Sequence, residues 1–377
     1  MVVRLGVLGT GNIGAHHIEL LQSGKVDGAV LAATSSRQGV TLSEVPHFED
    51  YQQMFSEGDI DAVLIATPTM SHLEMGLAAI DAGLHVLMEK PVAMSVFQAE
   101  KLLSKVPENL RFAIMLNQRF DPAYSKLKTL LEKKVIGEIQ RLSWTMTAWY
   151  RPDIYYQVSR WRGTWQGEGG GLLINQCIHN LDILQWLVGL PQSIVANVGF
   201  GKYHDIDVED EVNAMMTFPN GSTAMMTASS GEAPGVNRLE IVGDRGSFLV
   251  EDSAIKLFES AVSVKEHVRT TSEMFGMPSF SEKIVEVNEK VNQHAMVLQN
   301  FVDAVQSKAA LATPGSEGLG SLQLANGILL SAWRNAPVQI PLVSDEYESV
   351  LQNRISKTAL RTPVERIVEI DMENSYR

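Results

Sequence analysis

The sequence predicts two domains, an α/β Rossmann domain with a doubly wound parallel sheet and an α+β domain with an open, mostly antiparallel sheet. Three observations predict them: an N-terminal strand that runs into a glycine-rich turn, strands that alternate with helices up to residue 121, and short strands joined by tight turns after residue 200. A chain of 377 residues has the length of two domains. We therefore divide it into domains of residues 1–121 and 122–377.

Composition and charge argue against several classes of function. The formal net charge of −13 argues against nucleic acid or an anionic membrane as a partner. Cys177 is the single cysteine, so no internal disulfide can form. No apolar run approaches the roughly 18 residues of a membrane span. Residue 2 already begins a strand, so we expect no signal peptide and a cytoplasmic protein.

The first predicted strand, residues 2–8, leads into glycines in G-x-G-x-x-G spacing and an amphipathic helix. The first glycine permits a tight turn, the second lets the backbone approach a pyrophosphate, and the third lets helix and strand pack closely. Free N–H groups at the helix start favour an anion. This context predicts a dinucleotide site formed by Gly9, Gly11, Asn12, Ile13 and Gly14.

The second predicted strand, residues 29–34, ends where an NAD-preferring fold usually has Asp or Glu for the ribose 2′-hydroxyl. This chain instead has Ser35, Ser36 and Arg37. Hydroxyls followed by arginine suit a 2′-phosphate, because the guanidinium offers a fork of donors. A solvated loop arginine is the alternative. We therefore expect NADP or NAD as the cofactor, with NADP slightly favoured.

Three further strands are predicted over residues 62–66, 85–88 and 111–115, with helices between them. Ser71 with Glu74, and Ser95 with Gln98, have the spacing of capping boxes at two helix starts. A doubly wound sheet binds its ligand at the carboxyl ends of its strands. The residues at these ends are Thr67, Pro68, Glu89, Lys90, Asn117 and Arg119.

The chain resembles the Gfo/Idh/MocA oxidoreductase family in four motifs: the glycine loop, Thr67-Pro68 with His72, Glu89-Lys90-Pro91, and Asn117-x-Arg119-Phe120. In that family the lysine of the E-K-P triplet serves the chemistry, so the resemblance implies this role for Lys90. Cofactor contacts are expected at Thr67, Pro68, His72, Glu89, Lys90 and Asn117. Tight turns commonly use cis X–Pro bonds, and the resemblance favours one at Lys90–Pro91.

The second domain is predicted to begin with a helix over residues 123–134 and a strand over residues 139–148. A segment rich in aromatic and arginine side chains follows, residues 149–165. Such side chains could line a sugar pocket by stacking and hydrogen bonding, and they could equally fill a subunit contact, so both roles stay open. The candidate substrate contacts outside the next helix are Arg119, Tyr150, Trp161 and Arg162.

Residues 167–171 are glycine-rich and open a helix predicted over residues 172–188. Asn175 and His179 are four residues apart, so we expect them on one face, with Asp182 three residues further on. The stretch resembles the family motif D-x-G-x-H-x-x-D, with Asn175 and Cys177 replacing the first Asp and the Gly. Asn cannot take a proton, so we expect Asn175 to hydrogen-bond a substrate hydroxyl. These side chains are a poor ligand set for a divalent metal, and we expect none.

The remaining sequence predicts hairpins that join residues 212–218 to 223–229 and residues 238–242 to 247–250. An open sheet leaves a broad face to cover. The family typically covers it with another subunit, so the resemblance implies a homodimer or homotetramer. Residues 262–285 lack clear periodicity and are interpreted as a loop. Helices are predicted over residues 292–305 and 315–333 and from residue 344, with a short strand over 367–370.

Together with the resemblance, these observations predict hydride transfer between nicotinamide and a hydroxyl or keto carbon of a sugar, sugar derivative or cyclitol. Lys90 is the candidate acid–base group, or holds the reacting oxygen, and His179 shares or relays the proton. Asn175 and Asp182 would orient the substrate and the imidazole. Two alternatives stay open: a non-catalytic NAD(P)-binding regulatory protein on this scaffold, and a partner-binding protein that uses the open sheet.

Overall fold

Six parallel strands form the first sheet of this protein, which we describe from a computed structural model for residues 2–37 and 45–364. The strand order is β3-β2-β1-β4-β5-β6, the doubly wound arrangement that the sequence predicts. The strands are β1 (Val3–Leu8), β2 (Ala29–Ser35), β3 (His47–Phe48), β4 (Ala62–Ile65), β5 (His85–Met88) and β6 (Phe112–Ile114). The predicted strands are confirmed to within a residue or two, whereas the two-residue strand β3 was not predicted.

Both faces of this sheet are buried, as expected of parallel strands. In β4, Ala62 and Leu64 face one hydrophobic core, and Val63 and Ile65 face the other. The helices between the strands are α1 (Asn12–Gln22), α2 (Tyr51–Glu57), α3 (His72–Asp81) and α4 (Val96–Leu103). The strands therefore read as continuous apolar runs in the sequence, because neither face meets water.

Only one of the two predicted capping boxes has its cap. Ser95 Oγ accepts a hydrogen bond from the backbone N–H of Gln98 at 3.3 Å, at the start of α4. The prediction for Ser71 is wrong, because a 3₁₀ turn over Thr69–Ser71 precedes α3 and already gives Ser71 a helical backbone. Glu74 instead accepts a hydrogen bond from the Tyr51 hydroxyl at 2.8 Å.

The second sheet has nine strands in the order β14-β13-β12-β11-β7-β10-β9-β8-β15. Both predicted hairpins are confirmed, and the β7–β10 pair is parallel while the other pairs are antiparallel. Its strands are β7 (Ile139–Met146), β8 (Ser193–Phe200), β9 (Glu209–Thr217), β10 (Thr223–Ser229), β11 (Asn237–Gly243), β12 (Gly246–Glu251), β13 (Ala254–Ser260), β14 (Phe280–Val285) and β15 (Val338–Gln339).

The interpretation of residues 262–285 as a loop is wrong. This segment contains α10 (Val264–Thr270) and the edge strand β14. Phe280 and Ile284 in β14 are exposed, and no residue of α10 is buried. Because neither element has a buried face, the sequence carries no regular alternation of apolar and polar residues there.

Eight more helices complete the described chain. They are α5 (Pro122–Glu132), α6 (Asp153–Gln157), α7 (Trp165–Glu168), α8 (Leu172–Asn175), α9 (Ile178–Val188), α11 (Gln293–Val305), α12 (Glu317–Arg334) and α13 (Ser344–Ile355), with α10 between α9 and α11. The buried helix α12 packs against α9 and β8. The predicted helices at residues 123–134, 292–305, 315–333 and from 344 are confirmed. The strand predicted at 367–370 lies outside the described residues.

The single helix predicted over residues 172–188 is wrong, because the chain breaks into α8 and α9. The backbone N–H of Cys177 donates to the carbonyl of Leu172, five residues back, at 2.8 Å. This wide turn interrupts the regular helical repeat. Asn175 ends α8 and His179 lies in the first turn of α9, so the two do not share one helix face as predicted.

Helix α11 returns to the first sheet although it follows the second domain in sequence. Its residues Val297, Leu298, Phe301 and Val302 lie in the same core as Leu5 of β1. The division at residues 121 and 122 stays a prediction, but one face of the first sheet is covered by residues beyond it. None of the helices within residues 2–37 and 45–364 is long and apolar enough to cross a bilayer.

Candidate active site

The glycine loop has the local geometry that a dinucleotide needs. Gly9 has a φ of 93°, and a Cβ there would lie 2.6 Å from the Ala66 carbonyl oxygen. A Cβ at Gly14 would lie 1.9 Å from the Gly9 carbonyl oxygen, whereas one at Gly11 would meet nothing within 4 Å. Gly11 has no side chain to cap the helix that begins at Asn12, so backbone N–H groups face the open space beside it. The loop therefore fits a pyrophosphate.

The end of β2 carries hydroxyls and one exposed cation. The backbone N–H of Gly9 donates to the Ser35 carbonyl at 2.8 Å, and Ser35 itself is buried. The Thr10 hydroxyl donates to Ser36 Oγ at 2.7 Å, which joins this strand end to the glycine loop. Arg37 is exposed. The predicted 2′-phosphate contact for Arg37 stays a prediction.

Lys90 reaches from the end of β5 into the second domain. Its Nζ donates a hydrogen bond to the backbone carbonyl of Asn175, at the end of α8, at 2.6 Å. The Lys90–Pro91 peptide bond is cis, as the resemblance favours. The amine therefore lies between the first sheet and the helices that follow the glycine run.

Some of the charges around Lys90 raise its pKa and others lower it. Burial lowers the pKa of Lys90 below its ordinary value, and the positive charges of Arg151 and Arg162 lower this pKa further. The carboxylates of Glu89 and Glu168 oppose them. A lysine with a lowered pKa can exchange a proton at a pH closer to neutral, as an acid–base group requires.

His179 is buried in the first turn of α9. Burial and the nearby charge of Lys90 hold the pKa of His179 well below its ordinary value. The imidazole is therefore neutral at pH 7, with one nitrogen that donates and one that accepts. Lys90 and His179 were both predicted as catalytic, and the structure brings Lys90 close enough for its charge to act on the imidazole.

Glu89 and His72 hold the loops around Lys90. His17 Nε2 donates to Glu89 Oε1 at 2.8 Å, and the backbone N–H of Lys90 contacts Glu89 Oε2 at 3.2 Å. Although burial opposes it, the contact with His17 lowers the pKa of Glu89 to about 2. The ring nitrogens of the buried His72 lie 2.7 Å from the Pro91 carbonyl and 2.9 Å from the Thr67 carbonyl. These two residues position the backbone, and their cofactor contacts stay predictions.

Asn117 follows β6 and is buried. Its Nδ2 donates to Gln293 Oε1, in the first turn of α11, at 3.1 Å. Its Oδ1 accepts no hydrogen bond from the described residues. A buried acceptor without a partner in the protein is suited to a donor from a bound molecule. The other strand-end candidates, Thr67 and Pro68, are partly buried at the same edge of the sheet.

Arg119 and Asp182 bind each other, which does not support their predicted role as substrate contacts. Arg119 Nε and Nη2 donate to the two carboxylate oxygens of Asp182 at 2.8 and 2.6 Å. Nη2 also contacts Glu317 of α12 at 2.9 Å, and both members of the main pair are buried. A buried bidentate pair of this kind ties the turn after β6 to α9 and α12. Sequence spacing could not reveal it, because the partners are far apart in the chain.

Asn175 already has partners for both ends of its side chain, which the prediction of a substrate-hydroxyl contact did not include. Its Nδ2 donates to Glu168 Oε1, and its Oδ1 accepts from the Tyr155 hydroxyl at 3.3 Å. Glu168 is 2% exposed, and burial raises its pKa to about 7. Glu168 was not predicted as a site residue, although a lone acidic residue within a glycine run is visible in the sequence.

The aromatic and arginine-rich segment packs largely against itself. The Arg162 guanidinium lies 4.2 Å from the centre of the Tyr155 ring and 5.0 Å from that of Trp161. Tyr150 is 48% exposed. Arg162 belongs to the group of charges that act on Lys90, so this part of the segment borders the candidate site. Substrate contacts at Tyr150, Trp161 and Arg162 stay predictions.

No group of three or more potential metal ligands occurs within the described part of the chain. The residues brought together here are instead a lysine, a neutral imidazole, an amide and a carboxyl with a pKa near neutrality. Such groups bind hydroxyls and move protons. Lys90 follows β5, in the same parallel sheet whose first strand leads into the glycine loop.

Comparison with family models matches both parts of the chain. Residues 3–115 match the model described as the oxidoreductase family with an NAD-binding Rossmann fold. Residues 124–249 match the model described as the GFO/IDH/MocA C-terminal domain. The two matched regions follow each other without overlap and together cover more than half of the sequence.

Individual relatives agree over most of the length. The chain is 25% identical over 353 residues to inositol 2-dehydrogenase of Rhizobium meliloti, covering 90% of this chain and 100% of that one. The WlbA dehydrogenase of Bordetella pertussis, in complex with NADH and UDP-GlcNAcA, has a TM-score of 0.76 at 24% identity, covering 91% and 100%. Levoglucosan dehydrogenase in complex with NADH has a TM-score of 0.76 at 19% identity, again covering 91% and 100%. These structural likenesses establish the fold.

Proposed function

Because this chain belongs to the GFO/IDH/MocA oxidoreductases, an NAD-binding family, we propose that Lys90 and His179 handle the proton while a hydride moves between nicotinamide and its substrate. The substrate class is a sugar, sugar derivative or cyclitol that reacts at a hydroxyl or keto carbon. Relatives named as inositol 2-dehydrogenase and levoglucosan dehydrogenase support this class. The main support for the proposal is the hydrogen bond from Lys90 Nζ to the Asn175 carbonyl in the second domain.

The residues divide the work between binding and proton transfer. The loop from Gly9 to Gly14 would hold the pyrophosphate, and the strand ends after β4, β5 and β6 would border the rest of the cofactor. When bound, the nicotinamide accepts or supplies the hydride. In the oxidation direction, the neutral Lys90 amine accepts the proton of the reacting hydroxyl, and in the reduction direction its ammonium returns it. The neutral imidazole of His179 shares that proton.

The test replaces the two proton-handling residues. We expect Lys90→Met and His179→Ala each to lower turnover by about 10²- to 10⁴-fold, the usual range for general acid–base groups. The double variant should be little worse than the poorer single one, because groups that act as a unit are not additive. The measurement is the single-turnover rate at saturating cofactor, after a screen of NAD and NADP against cyclitols, free sugars, sugar phosphates and nucleotide-sugars.

The exposed Lys126 on α5 offers a matched control, since Lys126→Met removes a lysine that is not among the candidate site residues. Cofactor affinity should stay nearly unchanged in all variants. Near-normal turnover in Lys90→Met would defeat the mechanism. If only His179→Ala loses activity, the protein is still an enzyme, but its proton transfer depends on His179 in α9 and not on Lys90.

We also propose that Arg37 lets the enzyme accept NADP. Supporting this, β2 ends in Ser35-Ser36-Arg37 without an acidic residue, and Arg37 is exposed. Arg37→Ala should weaken NADP binding about ten- to a hundredfold, since a charge-assisted pair contributes roughly 1.5–3 kcal/mol. NAD binding should hardly change. Arg37→Lys is the matched control, because it keeps the charge and loses the fork of donors.

Fluorescence titration with both reduced cofactors measures the two dissociation constants for each variant. Equal losses for NADP and NAD in Arg37→Ala would rule Arg37 out as the discriminating residue. Binding of NADH alone by the unaltered protein would show an NAD enzyme, as in the solved relatives that hold NADH.

We further propose that the chain assembles as a homodimer or homotetramer through the uncovered face of the second sheet. Val195 of β8, Met215 of β9 and Met225 of β10 support this, because they lie side by side on neighbouring strands. Their exposed fractions are 41%, 51% and 64%. A contiguous exposed apolar patch of this kind commonly marks a protein contact.

A further inference from the structure

We propose that Glu168 controls the proton affinity of the Lys90 amine through Asn175, which forms hydrogen bonds with both of them. Glu168 is a positioning residue in this role, since it acts on the proton-handling group and not on the substrate. The proposal rests on the proposed function, in which Lys90 moves the substrate proton. The structural basis, however, is independent of which substrate reacts.

Glu168 is held rigidly at the end of α7. The backbone N–H of Gly163 donates to its Oε2 at 2.6 Å, and Asn175 Nδ2 donates to its Oε1. Both donors are neutral amides, and Glu168 forms no ion pair within the described residues. Its negative charge, when present, is therefore not cancelled by a paired cation.

Asn175 joins this carboxyl to the lysine. Its backbone carbonyl accepts the hydrogen bond from Lys90 Nζ at 2.6 Å, while its side-chain amide binds Glu168. The Lys90 amine thus binds the backbone of Asn175, and the Glu168 carboxyl binds its side chain. Charges that are close together in partly buried surroundings act on each other more strongly than in water, because less water screens them. The charge of Glu168 accordingly raises the pKa of Lys90.

Other charged groups also face this pair. Arg162 favours the ionised form of Glu168, and Glu209 opposes it. The charge of Glu89 raises the pKa of Lys90, as the charge of Glu168 does. The charges of Arg151 and Arg162 lower this pKa. Glu89 differs from Glu168 because it is bound to His17, and its pKa of about 2 keeps it ionised throughout the neutral range.

Glu168 is therefore the acidic neighbour of Lys90 whose charge changes near neutral pH. Burial raises the pKa of Glu168 to about 7. As the pH rises through this value, the carboxyl ionises and makes the nearby amine a weaker acid. The two groups titrate as a coupled pair, so that the proton affinity of Lys90 depends on the state of Glu168.

The experiment measures the titration of Lys90 directly in the full-length protein. Trace acetylation by acetic anhydride, followed by peptide mass spectrometry, gives the reactivity of Lys90 as a function of pH, with exposed lysines as internal references. Glu168→Gln keeps a hydrogen-bonding side chain and removes the charge. We expect its Lys90 midpoint to fall by roughly one pH unit, as for loss of a nearby opposite charge.

The decisive variant exchanges the two ends of the hydrogen bond. Glu168→Gln combined with Asn175→Asp reverses the amide and the carboxylate and restores one negative charge. Its midpoint should return to within about a third of a pH unit of the original value. A purely structural role for Glu168 predicts no such return. The control is Asp244→Asn, another buried carboxyl, which lies in the turn between β11 and β12 and accepts its hydrogen bonds from Glu138 and Ser263.

Each outcome decides the proposal. An unchanged midpoint in folded Glu168→Gln, or one that the exchange does not restore, overturns it. If Glu168→Gln alone does not fold, the exchange variant decides: it keeps one negative charge at this hydrogen bond, so its midpoint should stay within about a third of a pH unit of the original, and a larger shift overturns the proposal. A shifted midpoint without turnover of any sugar or cyclitol supports this proposal while the proposed function fails. Where turnover is found, the pH profile of kcat/KM should shift in the same direction as the midpoint.

Discussion

Glu209 is a fully buried carboxyl that holds the start of α8. Its oxygens accept hydrogen bonds from the backbone N–H groups of Gly171 at 2.8 Å and Leu173 at 2.9 Å. Burial raises its pKa from 4.5 to about 7. The folded state therefore binds a proton that the unfolded chain has lost in this range. The resulting stabilisation is fully present below pH 4.5 and is lost as the pH rises to about 7.

We expect this residue alone to lower the free energy of unfolding by about 3 kcal/mol between these two pH values. Glu209→Gln should remove that share of the pH dependence, because the amide oxygen still accepts a hydrogen bond and does not titrate. Urea unfolding at a series of pH values measures it. Glu240→Gln, at an exposed ion pair with Arg141, serves as the control. An identical pH slope in Glu209→Gln and the unaltered protein would contradict the assignment.

Among single residues, those whose role depends on adjacent positions in the chain could be predicted from the sequence. Gly9 and Gly14 are required by the local backbone, and Lys90 follows a strand whose end could be located. The partners of Arg119 and Asn175 could not be predicted, because Asp182 and Glu168 meet them only after folding. Spacing along a helix also misled for Asn175 and His179, since the turn at Cys177 separates them.

Helix α11 packs on the first sheet although it lies far from that sheet in sequence. Phe301 is fully buried against the strands of the first sheet. Phe301→Ala should therefore destabilise the protein by about 3–5 kcal/mol, the usual cost of truncating a buried aromatic side chain. Met296→Ala, on the exposed side of the same helix, should change stability little.

Chemical denaturation of both variants compares these costs. Binding of the reduced cofactor should weaken with Phe301→Ala near the unfolding transition, since the glycine loop belongs to the same sheet. A cost below about 1 kcal/mol for Phe301→Ala would show that the first sheet does not depend on α11.

Elements with at least one buried face could be predicted from sequence, and those with no buried face could not. The apolar runs of β1, β4 and β5 and the capped start of α4 were located closely. The edge elements β14 and α10 were missed, because both lack a buried face. The break between α8 and α9 was missed for the opposite reason: Leu172 to Ile174 and Ile178 are all buried, so an apolar run continues across the turn.

In the whole molecule, the row formed by Val195, Met215 and Met225 is an exposed apolar feature that the fold of a single chain does not explain. If this face joins two copies, Met225→Glu places a charge where water is excluded and should raise the dissociation constant of the assembly at least about a hundredfold. Val268→Glu on α10 changes an equally apolar and exposed residue outside the row. Sedimentation velocity over a range of concentrations compares the two variants.

Equal sedimentation of Met225→Glu and the unaltered protein would refute assembly through this face, while a change only in Val268→Glu would assign the contact to the α10 side.

The two-domain architecture could be predicted because strand–helix alternation and hairpins are local patterns. The return of α11 could not be, because its amphipathic pattern does not specify which apolar surface it covers.

That return affects how the protein is made. As the chain leaves the ribosome, β1, β4, β5 and β6 emerge with one apolar face that their own helices do not fully cover. The missing cover, Val297 to Val302, is translated only after the whole nine-stranded sheet except β15. The N-terminal sheet therefore cannot complete its core first and wait for the rest. Its exposed face must be protected during most of synthesis, and a ribosome that stalls before α11 releases a chain prone to aggregate.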